Sequence, residues 1–207
     1  MHVIAGTLKG RRLVAPRGHR TRPTADQVRI ALMDTLMPAL PGARVLDLFA
    51  GAGAVGFEAL SRGAASATFV ERDARAAAAL QQNVTALGLR TRARLVRADA
   101  LRALNGLATA GDRFDIVLLD PPYESDLVGL TLQRLGAGTV TAPDATVIAQ
   151  HFTKQAPPEV VGVLVQFRTR RFGETTLSSY HPRAASSDAV SSGPMSSDDD
   201  AGSGGLT

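Results

Sequence analysis

From residue 43 onward the chain alternates short apolar runs with longer stretches of helical spacing. The strand-like runs cover 44–49, 67–70, 93–96, 114–119 and 145–150, and the helical stretches cover 54–61, 74–87, 101–108 and 127–135. Gly88 falls where a glycine helix cap belongs. Strands alternating with helices at this spacing predict a doubly wound α/β sheet, mostly parallel. Two further runs, 160–168 and 175–180, read as final strands paired antiparallel through a turn at 170–173. Ahead of the repeat, Thr24 and Gln27 match a capping box, and Val28, Ala31, Leu32, Thr35 and Leu36 share one helical face. Pro38 and Pro41-Gly42 end that helix. Before it, residues 2–5 and 12–15 read as two short strands turning through Gly6 to Gly10. The expected organisation is a basic N-terminal β-hairpin extension over 1–23, a catalytic α/β domain over 24–181, and a tail over 182–207. That tail is rich in Ser, Asp, Gly and Ala, has little to bury, and is expected to be disordered.

Charge is unevenly spread. The whole chain carries 23 basic and 19 acidic residues, but the tail holds one Arg and four Asp, which leaves 22 and 15 on the body. A basic body suits a polyanionic partner. Only Lys9 and Lys154 are lysines, so most of the positive charge is guanidinium, which suits bidentate phosphate contacts. The absence of Cys excludes disulfides and thiolate metal sites, and the four histidines show no metal spacing, so no metal is expected. No apolar run reaches transmembrane length and the first twelve residues lack a signal-peptide core, so a cytoplasmic protein without a membrane partner is expected.

Two loops carry the candidate chemistry. The apolar run 114–119 leads into Asp120-Pro121-Pro122-Tyr123. Proline fixes φ and removes backbone donors, so carbonyls here stay available as acceptors. The acid adds another acceptor and the tyrosine a flat face, which together suit an amino group on a planar ring. The second loop follows the first strand, where Gly51, Gly53 and Gly56 spell G-x-G-x-x-G and Glu71 lies 20 residues after Gly51. That is the dinucleotide fingerprint, so a nicotinamide or flavin enzyme is a rival. Asp47 argues against it, because a carboxylate before the turn repels a pyrophosphate and suits a cation such as the ammonium of an amino acid. After the third strand, Asp99 can accept from an adenine amino group or simply cap a helix. An adenosine with an amino-acid tail and no phosphate fits all three acids, and S-adenosylmethionine is such a ligand.

Leu46 to Gly53, Glu71, Asp99 and Asp120 to Tyr123 occur in the order used by class I, Rossmann-like S-adenosylmethionine-dependent methyltransferases. Together with Arg22-Pro23-Thr24, Glu58-Ala59-Leu60-Ser61-Arg62-Gly63-Ala64 and Arg171-Phe172-Gly173-Glu174-Thr175, they resemble the RsmD family over about residues 1–180. The family usually has Ser where Ala52 stands and Glu where Gln150 stands, and the acidic tail lies outside its pattern.

The resemblance implies methyl transfer to N2 of a guanine in 16S rRNA, with the small ribosomal subunit or its assembly intermediate as partner and a monomeric enzyme. Asp120, Pro121, Pro122 and Tyr123 are the expected catalytic residues. Asp47, Phe49, Ala50, Gly51, Gly53, Glu71, Arg72, Asp99, Ala100 and Asp120 are expected to hold the cofactor. Lys9, Arg11, Arg12, Arg17, Arg20 and Arg22 are expected on RNA phosphates, with Thr24 and Arg29 reaching the mouth from the first helix; Arg168, Arg170 and Arg171 are weaker candidates. The alternatives are an N-methyltransferase acting on DNA adenine or protein glutamine, and a non-catalytic RNA-binding protein.

Overall fold

A strand buried on both faces sends alternate side chains into two cores, and β1 (Arg44–Asp47) does so within one turn of the pleat. Val45 joins an apolar cluster with Leu36, Phe57, Phe69 and Leu80, whereas Leu46 joins a second with Leu104, Val117, Leu132 and Tyr180. The computed structural model describes residues 1–15, 23–122 and 126–183, with backbone alone for 23–25. Its remaining elements are α1 (Pro23–Leu36), a 3-10 turn (Met37–Ala39), α2 (Ala54–Ser61), β2 (Ser66–Val70), α3 (Ala74–Ala86), β3 (Ala93–Val96), α4 (Ala100–Thr109), β4 (Phe114–Leu119), α5 (Leu127–Leu135), β5 (Thr141–Phe152), β6 (Val160–Val161), β7 (Leu164–Phe172) and β8 (Thr175–Pro182).

The strands form one sheet in the order β3-β2-β1-β4-β5-β8-β7-β6. The pairs among the first five are parallel, and those of β8 with β5, β7 with β8 and β6 with β7 are antiparallel. This is the expected mixed sheet. The chain winds outward from β1 in one direction and from β4 in the other, so the β1/β4 boundary is the switch point, where the strands' carboxyl ends leave a crevice. Apolar residues of α1, α2 and α3 fill one core, together with Val3 and Leu13 of the N-terminal segment; those of α4 and α5 fill the other.

Three local expectations are corrected. Helix α1 begins at Pro23, so Thr24 lies inside its first turn rather than capping it; proline is suited to the first helical position because its missing N–H has no partner there. The run 160–168 is two strands, not one. Gly162 turns the chain at φ +59°, and a Cβ there would lie 2.2 Å from the Gly136 carbonyl oxygen. The later turn then falls at Gly173-Glu174, leaving Arg170 and Arg171 within β7. The N-terminal hairpin forms but is shorter than expected: His2 pairs antiparallel with Arg12, the Val3 amide bonds the Arg11 carbonyl at 3.0 Å, the Leu13 amide the Met1 carbonyl at 3.0 Å and the Gly10 amide the Val3 carbonyl at 2.9 Å. The amides of Ile4, Ala5, Thr7 and Leu8 bond across to α2 instead of along a partner strand. Residues 184–207, most of the expected tail, lie outside the described residues.

Candidate active site

Asp47 ends β1 and is buried, at 3% exposure. Its Oδ2 accepts from the Gly56 amide at 3.2 Å, in the first turn of α2. Burial raises its carboxyl to about 7; the Asp120 charge and, more weakly, the Glu71 charge add to the rise, and the Gly56 and Phe49 amides oppose it. The loop between β1 and α2 is held tightly. Gly53 takes φ +87°, and a Cβ there would lie 2.5 Å from the Phe57 ring; a Cβ on Gly56 would lie 2.3 Å from the Phe69 ring. Above Gly51 there is no such obstruction within 4 Å. Glu71, at the end of β2, ties the loop down from the neighbouring strand: Oε2 accepts from Gly51 at 2.8 Å and Oε1 from Asp73 at 2.7 Å. Each Glu71 oxygen has a second lone pair beyond those bonds. Arg72 is exposed beside it.

Asp99 caps α4, with Oδ1 accepting from Leu101 at 3.0 Å and Arg102 at 3.4 Å. Capping was one of the two readings of this residue, and it employs one carboxylate oxygen. Ala100 follows, buried, as the first residue of α4.

Asp120 follows β4 next to Asp47, since Asp47 pairs with Leu118. It is exposed at the strand end, and the protein packed around it raises its carboxyl to about 6 by desolvation. Asp47, more deeply buried and facing the Asp120 charge, shows the larger rise. Beyond Asp120, Pro121 and Pro122 form one wall of a hollow of about 270 Å³, with Gly129, Gln150, His151 and Pro158 among its other walls. Tyr180 fixes the last of these from within the core: it is fully buried, its hydroxyl donates to the Pro158 carbonyl at 3.0 Å, and burial pushes its phenol up to about 12. His151 is fixed too. Its Nδ1 donates to the Phe152 carbonyl at 2.7 Å, which leaves Nε2 to accept from the Ser178 hydroxyl at 2.9 Å. Burial lowers its pKa and favours this neutral form. Both ring nitrogens are therefore occupied, as befits a structural histidine. Tyr123 lies outside the described residues.

The structure thus brings Asp47, Glu71, Asp120 and the glycine loop to one crevice, and puts the two prolines between that crevice and a hollow. The crevice fits a cation, because it holds two carboxylates with raised pKa and space above Gly51.

The basic residues sort differently. Lys9, Arg11 and Arg12 are exposed on the N-terminal segment, with Arg11 Nη2 also donating to the Ala86 carbonyl at 2.6 Å. Arg29, expected at the mouth, is buried instead: its Nη2 donates to Asp26 at 3.0 Å and to the His2 carbonyl at 3.2 Å, because the N-terminal segment folds over it. Arg170 docks on α1 through the Ala31 carbonyl at 3.2 Å, whereas Arg168 and Arg171 are exposed. Arg17, Arg20 and Arg22 lie outside the described residues, and the Thr24 side chain is not described.

Sequence reasoning missed three polar residues that seat the N-terminal segment. Glu58 is fully buried, accepting from Ile4 at 2.7 Å, Ala5 at 2.9 Å and Arg62 at 2.9 Å. Ser61 Oγ accepts from Leu8 at 2.9 Å and donates to the Ala5 carbonyl at 2.5 Å. Asn83 holds Val14. The signals were Glu, Ser and Asn inside apolar helical stretches and, for Glu58 and Ser61, their place in a segment that carries the family resemblance, which gave no partner for either.

The family described as Conserved hypothetical protein 95 matches residues 1–181. YlbH of Bacillus subtilis (strain 168), provisionally named an rRNA methyltransferase, is 38% identical over 183 residues, covering 88% of this chain and all of that one. Ribosomal RNA small subunit methyltransferase D of Escherichia coli (strain K12) is 34% identical over 184 residues, 89% of this chain and 91% of the relative. The solved structure of yhhF from Escherichia coli superposes with a TM-score of 0.78 at 32% identity, covering 89% of this chain and 99% of that chain.

Proposed function

The chain belongs to the RsmD family of rRNA methyltransferases, and from the geometry of its strand ends we propose that it transfers a methyl group from S-adenosylmethionine to the exocyclic N2 amine of a guanine in 16S rRNA. One observation carries this reading. Two carboxylates raised above their ordinary range, Asp47 and Asp120, stand at adjacent strand ends between an unobstructed glycine turn and a proline-walled hollow.

Asp47 and the loop from Phe49 to Gly53 would hold the amino-acid end of the cofactor, Glu71 beside Arg72 its ribose, and Asp99 with Ala100 its adenine. When bound, S-adenosylmethionine supplies an electrophilic methyl on a sulfonium. Asp120 accepts one N–H of the guanine amine and the Pro121 carbonyl accepts the other. With both N–H bonds fixed, the nitrogen lone pair, otherwise delocalised into the ring, is directed along one line. Alignment of this kind is worth roughly 7–11 kcal/mol. Asp120 need not be a strong base, because the amine becomes acidic as it is alkylated. Pro122 presents a wall on which the base would rest, in the hollow beside Gln150, and Tyr123, next in sequence, is the candidate stacking partner. The base must leave its stack to enter, which costs a few kcal/mol and favours a looped or single-stranded guanine. Lys9, Arg11 and Arg12, followed in sequence by Arg17, Arg20 and Arg22, would neutralise phosphates on the way in. An rRNA substrate and a small-subunit partner place the reaction in the cytoplasm.

The test offers unmodified small subunits and protein-free 16S rRNA with labelled methyl donor, then maps the modified nucleotide. N2-methylguanine at one position in 16S rRNA is expected. N6-methyladenine as the sole product, or label on protein alone, would overturn the proposal.

A further inference from the structure

Asn83 lies on α3 at 1% exposure, and its side-chain amide is occupied in three directions. Its Oδ1 accepts from the Val14 amide at 2.8 Å. One Nδ2 hydrogen goes to the Val14 carbonyl at 2.9 Å and the other to the Ala52 carbonyl at 3.0 Å. Val14 belongs to the N-terminal segment, and Ala52 is the residue between Gly51 and Gly53 of the cofactor loop. An amide is planar, so a shift of Val14 that carries the Asn83 side chain with it also moves the donor facing Ala52. Asp in this place would keep an acceptor for Val14 but lose both donors, and Leu would leave two carbonyls and an amide without a partner in a buried place.

Besides Arg29 of α1, which holds the His2 carbonyl, the other side-chain bonds that seat this segment come from α2 and α3. Glu58 and Ser61 of α2 hold residues 4–8, and the carbonyl of Ala86, the last residue of α3, receives Arg11. Helix α2 also supplies the Gly56 amide that holds Asp47. Lys9 on the turn and Arg12 beside it meanwhile stay exposed, open to a polyanion. The segment's backbone is thus fixed to the elements that shape the cofactor crevice, and its charges face outward.

We propose that Asn83 is a positioning residue that links the seating of the basic N-terminal segment to the cofactor loop, so that RNA binding and cofactor binding strengthen one another. The inference rests on the function proposed above. Linkage makes the effect reciprocal: the factor by which RNA tightens the cofactor equals the factor by which the cofactor tightens RNA, with about fivefold as the low end of such couplings.

The experiment measures the dissociation constant of S-adenosylhomocysteine, which has no methyl to transfer, by calorimetry with and without a saturating guanine-containing single-stranded oligoribonucleotide at fixed salt. Wild type should bind at least about fivefold tighter with RNA. Asn83→Ala should still fold, and its ratio should fall to roughly one for both ligands, as loss of the bridge requires. Should that variant fail to fold, Val14→Pro removes a single hydrogen bond at an exposed side chain and should lower the ratio likewise. A variant that folds and keeps the wild-type ratio overturns the inference. So does a wild-type ratio of one with both ligands bound, which leaves the proposed cofactor standing. Wild type that binds no S-adenosylhomocysteine overturns both.

Discussion

Glu58 and Asp47 are both buried, at 0% and 3% exposure, and α2 carries the one and supplies the Gly56 amide to the other, yet their surroundings are opposites. Glu58 is met by two backbone amides and the Arg62 guanidinium, so its charge is answered on the spot. Asp47 is met by the Gly56 and Phe49 amides, but its burial and the charges of Asp120 and Glu71 together disfavour its negative form. A buried acid matched by donors is part of the scaffold; a buried acid crowded by other acids marks a place for a ligand.

The largest expected effect is on the matched side. Glu58→Ala leaves Arg62 and two amides without their acceptor, and should destabilise the fold by about 3–5 kcal/mol in denaturant melts, as when one partner of a buried ion pair is removed. A loss below about 1 kcal/mol would place Glu58 in the class of exposed ion pairs. On the crowded side, Asp120→Asn should fold normally and lose roughly 100- to 1,000-fold in kcat, the usual effect of removing one positioned polar partner of the reacting group. Single-turnover transfer of labelled methyl reads this directly, and unchanged transfer would remove Asp120 from the reaction.

Asp47→Asn sharpens the contrast by reversing its sign. The folded-state pKa of Asp47 is raised to about 7, whereas an unfolded Asp titrates near about 4. The folded protein therefore binds more protons between these values, and its stability falls as pH rises from about 4 to about 7. Asn carries no charge, so the variant, free of ligand, should gain on the order of 4 kcal/mol over wild type at pH 8 and little at pH 4. The same variant should bind S-adenosylmethionine at least about tenfold more weakly, through loss of a charge-assisted contact. Equal stability at pH 8 would show that the Asp47 charge is answered after all. The smallest effect concerns the outward charges: Lys9→Ala and Arg12→Ala should each reduce the salt dependence of RNA binding by about 0.7 in log–log slope for single strands.

The same contrast explains what the sequence revealed. The crevice was legible because its chemistry is local: Asp47 and three glycines fall within ten residues, and Asp120 with its prolines are adjacent. Strands β3 and β4 and helices α2 and α5 matched their expected bounds for the same reason, since apolar period is a local property. The docking of the N-terminal segment was not legible. Glu58 and Asn83 meet their N-terminal partners 53 to 69 residues away, and no local pattern reports a partner at that distance. Arg29 was misread as reaching the mouth for the same reason, because the His2 carbonyl that helps bury it is 27 residues off. The break at Gly162 was readable in principle, as a glycine between two valines within a strand run.

The claim that two uncompensated carboxylates seat a cationic cofactor is tested most directly by titrating the protein with S-adenosylmethionine between pH 5 and 8.5 and counting protons by calorimetry in buffers of different ionisation enthalpy. A cation favours the ionised forms of Asp47 and Asp120, so affinity should rise through pH 6–7, with protons released on binding below about pH 7 and none above about pH 8. Affinity that does not vary across that range, with no proton release, would contradict the account.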